Sequence, residues 1–211
     1  MIVFLNTVTN RDWMWKLKPE DEAQPCMIQY TAIVVSPHGE RRYFGNTYAM
    51  EAHETIAQSA LDRLQVPSSQ TFLDMALPRL DIGDAMDLSA ILSSATLLVA
   101  HSAAFHRKVL ERVAFLHGIH TEITAPWFCT MLEATNICQI PPPTGRGKSK
   151  WPTLWEAWEH FWPGQAPQIP NNLPDAMSDV TKAGFLAPSM VLDVYGAILR
   201  HRQQGMPAGL G

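Results

Sequence analysis

Val99-Ala100-His101-Ser102-Ala103-Ala104-Phe105-His106 reads as a strand that turns at once into a helix. The strand is the apolar run Thr96 to Ala100, and the helix starts near Ser102 or Ala103. Val109, Leu110, Val113 and Leu116 then fall on one helical face, and Gly118 supplies the stop. A strand feeding a helix whose apolar stripe must be covered implies layers of helix packed on sheet.

Upstream, Ile2 to Leu5 reads as a short buried strand, followed by a polar loop from Asn10 to about Gln24 that carries Trp13 and Trp15. Met27 to Ser36 is rich in β-branched residues, Pro37-His38-Gly39-Glu40 has turn chemistry, and Arg41 to Phe44 returns as the partner strand. These make a three-stranded antiparallel meander. Helical spacing follows over Ala52 to Leu64, ended by Pro67, and again over Asp84 to Ser94.

Downstream, Trp127 to Cys129 suits a short strand and Met131 to Ile137 a helical turn. Pro152 to Trp162 reads as a helix with proline in its first turn, where a missing N–H costs nothing. After a Pro- and Asn-rich linker (163–173), helix resumes from Asp175 to about Leu186. Pro188 is expected to break or kink it before a last helix that ends near Arg202. No internal repeat, domain linker or heptad pattern is present. The expectation is one domain over 1–211, with 188–211 a C-terminal helical extension. Its class is α/β, with a mixed central sheet (antiparallel meander plus parallel strands) flanked by helices.

Composition narrows the function. The 211 residues are 46% hydrophobic and 17% charged, which is globular rather than disordered. A net charge of −4 gives no global attraction to nucleic acid, so a polyanion site must be a local patch. Cys26, Cys129 and Cys138 are an odd, scattered set, which suits a reducing compartment without structural zinc. The apolar start Met1 to Leu5 is too short for a signal segment, and no later run reaches about eighteen apolar residues. The expected location is cytoplasmic, with no membrane contact.

The order of elements and several local words resemble the DEDD-type, DnaQ-like 3′-5′ exonucleases of the ribonuclease H-like fold. That family opens on an Asp-x-Glu strand, where this chain has Leu5-Asn6-Thr7-Val8-Thr9. Its second motif, Val-Ala-His-Asn-x-x-Phe-Asp, is matched by Val99 to His106 except at Ser102 and His106. Its third motif sets His five residues before Asp, which the spacing here assigns to Pro174 and Asp179. Phe128-Cys129-Thr130-Met131 and Lys150-Trp151-Pro152-Thr153-Leu154 also resemble words of bacterial and phage members.

The resemblance implies a two-metal hydrolase, and the residues present argue against one. Two dications about 4 Å apart clamp the attacking and leaving oxygens and need several carboxylates to offset their repulsion. Asn6 offers a neutral carbonyl, Val8 offers nothing, His106 offers a nitrogen that suits zinc better than magnesium, and Pro174 cannot take a proton. Asp179 alone cannot hold two ions. His106 and Asp179 are the remaining metal candidates, while His101 stands where the family also has histidine and is expected to be structural. Asp12, Glu20, Asp21 and Glu22 read as solvated loop charges. No catalytic residue and no cofactor are therefore expected, Mg2+ or Mn2+ entering only if residual nuclease activity exists.

The implied function is an inactive exonuclease homologue that binds single-stranded DNA or RNA, or a protein partner, within a larger complex. Candidate nucleic-acid contacts are Arg107, Lys108, Arg146, Lys148, Lys150 and Trp151. Trp151, Trp155, Trp158 and Trp162 follow helical spacing, and Trp155, Trp158 and Trp162 are candidate partner contacts. The alternatives are an active exonuclease with atypical metal use, through His106, Asp179 and Asn6, and a pure protein-interaction module.

Overall fold

The computed structural model describes residues 1–50, 54–120 and 122–204. Five strands form one mixed sheet in the order β3-β2-β1-β4-β5. They are β1 (Ile2–Thr9), β2 (Met27–Val35), β3 (Arg41–Thr47), β4 (Leu97–Ala100) and β5 (Trp127–Cys129). β1, β2 and β3 are the expected antiparallel meander, whereas β4 and β5 add in parallel. The fold class read from the sequence is the one observed.

Eight helices complete the described chain: α1 (Gln58–Leu64), α2 (Ser69–Leu73), α3 (Ile82–Ser93), α4 (Ala103–Leu116), α5 (Thr130–Cys138), α6 (Leu154–Phe161), α7 (Asp179–Gly184) and α8 (Leu186–Gln204). The pleat of β1 decides which side each packs on. Val3 and Leu5 point with Ala32, Val34 and Leu98 into a core closed by Leu88 and Leu92 of α3 and Val109, Leu110 and Val113 of α4. Phe4 points the other way, onto Ile33, Val99, Phe185 and Val191 of α8. Val8 lies on that same side, among Ile28, Leu61, Leu64 and Val180.

Several boundaries differ from the sequence reading, among them β1 running to Thr9, β3 to Thr47 and α7 starting at Asp179; three further differences have a local reason. Helix α1 begins only at Gln58, since the Ala57 N–H is taken by the Asn10 carbonyl; residues 51–53 lie outside the described ones. Pro152 sits ahead of α6 rather than in its first turn. Thr153 is the N-cap and exchanges bonds with Glu156 in a capping box. The C-terminal helix breaks at Phe185, not at Pro188, which occupies the first turn of α8 where no N–H is needed. The stretch Asp179–Gln204 contains an 18-residue window of mean hydropathy 1.2, long and apolar enough by length and composition to cross a membrane. Its longer part, α8, serves here as a core helix, burying Met190, Val191, Val194 and Ile198 against the sheet and its neighbours.

Candidate functional site

β4 stops short of β1. The last pair between them is Phe4 with Val99, so Thr7, which pairs with Tyr30 of β2, has no strand on its β4 side. The chain leaving β4 fills that space: Ser102 takes a left-handed conformation (φ 66°) and α4 starts at Ala103, carrying His106 back toward Thr7. Ligand sites of parallel sheets form at such carboxyl ends. A cleft opens here with two arms of about 520 and 500 Å³. Asn6, Arg63, Thr153 and Leu154 line both arms. The first arm adds Trp13, Trp15, His101, Phe105 and His106, and the second adds Trp155, Ala183 and Met190.

His106 is 4% exposed and fully committed. Its Nδ1 accepts from the Thr7 backbone N–H at 3.1 Å and faces the Thr7 hydroxyl at 2.8 Å. Its Nε2–H donates to the His101 carbonyl at 2.9 Å. An acceptor Nδ1 requires the neutral ring, and burial, with lesser help from His101 and the Arg63 charge, pushes its pKa down to about 4. His101 is held as firmly. Its Nδ1 meets the Thr130 hydroxyl at 3.1 Å and its Nε2–H donates to the Pro152 carbonyl at 2.9 Å, with burial lowering its pKa. Both rings tie elements together.

Val8 is 2% exposed in an apolar cluster, so its side chain is part of the core. Asn6 is half-buried and faces the cleft. Pro174 and Asp179 are exposed and line neither arm. Asp179 stands in the first turn of α7, and the residues of that helix that reach the cleft are Ala183 and Gly184. The spacing rule missed this because the long linker before α7 carries no periodic signal. The rotation of α7 is set instead by buried contacts: Gln29 donates to the Val180 carbonyl and Thr31 to the Gly184 carbonyl.

The cleft does not fit two divalent ions. Its carboxylates are Asp12, loosely paired with Arg63, and Asp62, which accepts from Gln58. Among the described residues no three His, Cys, Asp or Glu side chains gather into a metal-binding group. Two carboxylates, each with a partner of its own, fall short of the several that two dications need.

The basic candidates divide. Arg107 and Lys108 both pair with Glu111, and Lys150 pairs with Glu156 at 2.6 Å, which lowers the Glu156 pKa. Arg146 and Lys148 are exposed in the loop before α6 and form no ion pair among the described residues. Arg112, on the same helix as Arg107, is buried and donates to the Pro19 and Asp21 carbonyls, anchoring the first loop. The tryptophan stripe also divides. Trp151 precedes the helix and is exposed. Trp158 is buried, donates to the Gln165 carbonyl and stacks on Trp162 at 4.5 Å. Only Trp155 of the three partner candidates is exposed, and it faces the cleft. The core face of α6 is made by Leu154, Ala157, Trp158 and Phe161 instead.

No family model matches the chain, and no curated protein does. Solved structures do. Exonuclease X, in complex with 5′-overhanging duplex DNA, is 15% identical over 93% of this chain and 92% of its own, with a TM-score of 0.50. Escherichia coli exonuclease I, in complex with a dT13 oligonucleotide, is 11% identical with a TM-score of 0.60; the match takes in 96% of this chain but 41% of that one. A 3′-exonuclease engaged in 3′-end-specific recognition of a histone mRNA stem-loop is 12% identical, over 97% of this chain and 82% of its own, with a TM-score of 0.57. Likeness at these identities is likeness of fold: the chain has the mixed, helix-flanked sheet of the ribonuclease H-like exonucleases.

Proposed function

We propose that this chain is a catalytically inactive relative of the DEDD-type exonucleases that binds single-stranded nucleic acid as an accessory subunit of a larger cytoplasmic complex. The observation that carries the reading is His106. At the position where the second motif has a metal-binding acid, both ring nitrogens are spent on Thr7 and His101. Val8, at a first-motif acid position, is packed in the core. An atypical metal site would need one of these groups released. Binding is supported by the company the fold keeps, since the similar structures include an exonuclease with duplex DNA, one with an oligonucleotide and one with a stem-loop RNA.

The test incubates the purified chain with end-labelled single-stranded DNA and RNA in magnesium, manganese or zinc. Retention of a strand without shortening is the expected result. Shortening under any of the three ions, abolished by Asn6→Ala, would establish an active nuclease instead. Failure to retain either strand would favour a module that binds protein alone, with exposed Trp151 and Trp155 as its contact residues.

A further inference from the structure

We infer that Arg63 holds a backbone phosphate in this cleft in place of divalent ions, with Trp15 and Trp155 as base-stacking platforms in the two arms. This rests on the reading that the cleft takes nucleic acid, and it specifies how. The two arms meet along Asn6, Arg63, Thr153 and Leu154, so a strand running from one to the other passes the guanidinium. Each arm presents one large, exposed indole. Trp15 is 61% exposed in the first and Trp155 is 54% exposed in the second. Aromatic faces stack any base without regard to sequence. Such platforms on both sides of one cation suit a flexible single strand.

Arg63 is available for this. Its side chain is 50% exposed and its ion-pair partner is Asp12, 3.9 Å away and 81% exposed. A pair so open to water holds weakly, and an arriving phosphate, which accepts a forked pair of hydrogen bonds, displaces it. The Arg63 charge is also the positive charge that His106 senses within the cleft. A guanidinium needs none of the carboxylates that a metal pair requires, which agrees with a site holding Asn6 where a ligand acid would stand. Asp12 then acts as a competitor for the same cation.

The experiment measures anisotropy of a fluorescein-labelled oligo-dT of about a dozen nucleotides with the full chain, in magnesium and in EDTA. The expected affinity is the same in both. Arg63→Gln weakens binding about tenfold and makes it less salt-dependent by close to one phosphate contact. Asp12→Asn tightens it, and Trp15→Ala and Trp155→Ala each weaken it by about tenfold. Circular dichroism melting of Arg63→Gln checks that the fold is kept. Loss of binding in EDTA, or an Arg63→Gln affinity equal to that of the parent, overturns the inference while strand binding itself stands. No binding by the parent chain in either buffer overturns the functional reading and this inference together.

Discussion

The backbone N–H of Thr7 and the Nδ1 of His106 lie 3.1 Å apart where β4 has ended, so an imidazole takes the place of a neighbouring strand. The ring satisfies a buried donor that would otherwise be orphaned, and its own second nitrogen is satisfied by His101. A carboxylate in the same place would be free to turn toward a ligand. The imidazole is not.

That bond has a pH signature. The folded pKa of His106, about 4, lies below its usual value near 6.5, so the unfolded chain binds a proton more readily in between. Its contribution is complete above about pH 6.5 and is lost as pH falls toward 4, on the order of 3 kcal/mol in all. His101, shifted the same way by burial, adds to the trend. Urea unfolding at a series of pH values between 7 and 4 should therefore show a steep loss, markedly shallower in His106→Gln. An equal slope in the two proteins would contradict a buried, neutral His106 with a lowered pKa.

Replacing Val8 by glutamate, the residue the family pattern would place there, should be costly. The carboxyl would enter the cluster of Ile28, Leu61, Leu64 and Val180, where no partner awaits it. A destabilisation of about 3 kcal/mol or more is expected, read as a fall in the urea midpoint at neutral pH. A midpoint within error of the parent would mean that this position is open to water.

Ser102 carries a positive φ of 66° at the start of α4, and its hydroxyl makes no capping bond there. Glycine or asparagine accepts that backbone more readily. Ser102→Gly should raise the thermal midpoint, by about 1 kcal/mol of stability. Calorimetry decides the sign.

Gly184 lets α7 lie on β2. A Cβ there would stand 2.9 Å from Gln29 Nε2 and closer still to its Oε1. Gln29 is fully buried and pinned by bonds to the Thr47 hydroxyl and the Val180 carbonyl, so it has little freedom to move aside. Gly184→Ala should cost about 2 kcal/mol through overpacking, measured by chemical denaturation. A neutral result would show that α7 shifts freely on the sheet.

The meander and the Val99–His106 turn were legible because period-two strands and a helix with one apolar face leave strong, short-range marks. The third-motif helix was not. Counting back from Asp179 places Pro174 in the site, yet the helix turns Ala183 inward because Gln29 and Thr31, some 150 positions away in the chain, hold its carbonyls. Spacing cannot report a contact of that range. The tryptophans misled because their helical spacing suggested one continuous face, but Trp151 lies before the Thr153 cap and never joins the helix. Paired cations were equally invisible, since only three dimensions show Lys150 tied to Glu156 while Arg63 stays open. The cleft itself emerges only when loop, α1 and α6 converge on Asn6.

Helix α8 packs Val191 and Tyr195 against Phe4 and Val99, joining the latest part of the described chain to the earliest strand. During synthesis, at roughly 5–20 residues per second, β1 must therefore wait on the order of ten to forty seconds for its cover to leave the ribosome. Throughout that interval one side of the nascent sheet is bare, which makes this segment a natural client for chaperones and makes premature termination upstream of residue 186 a route to aggregation.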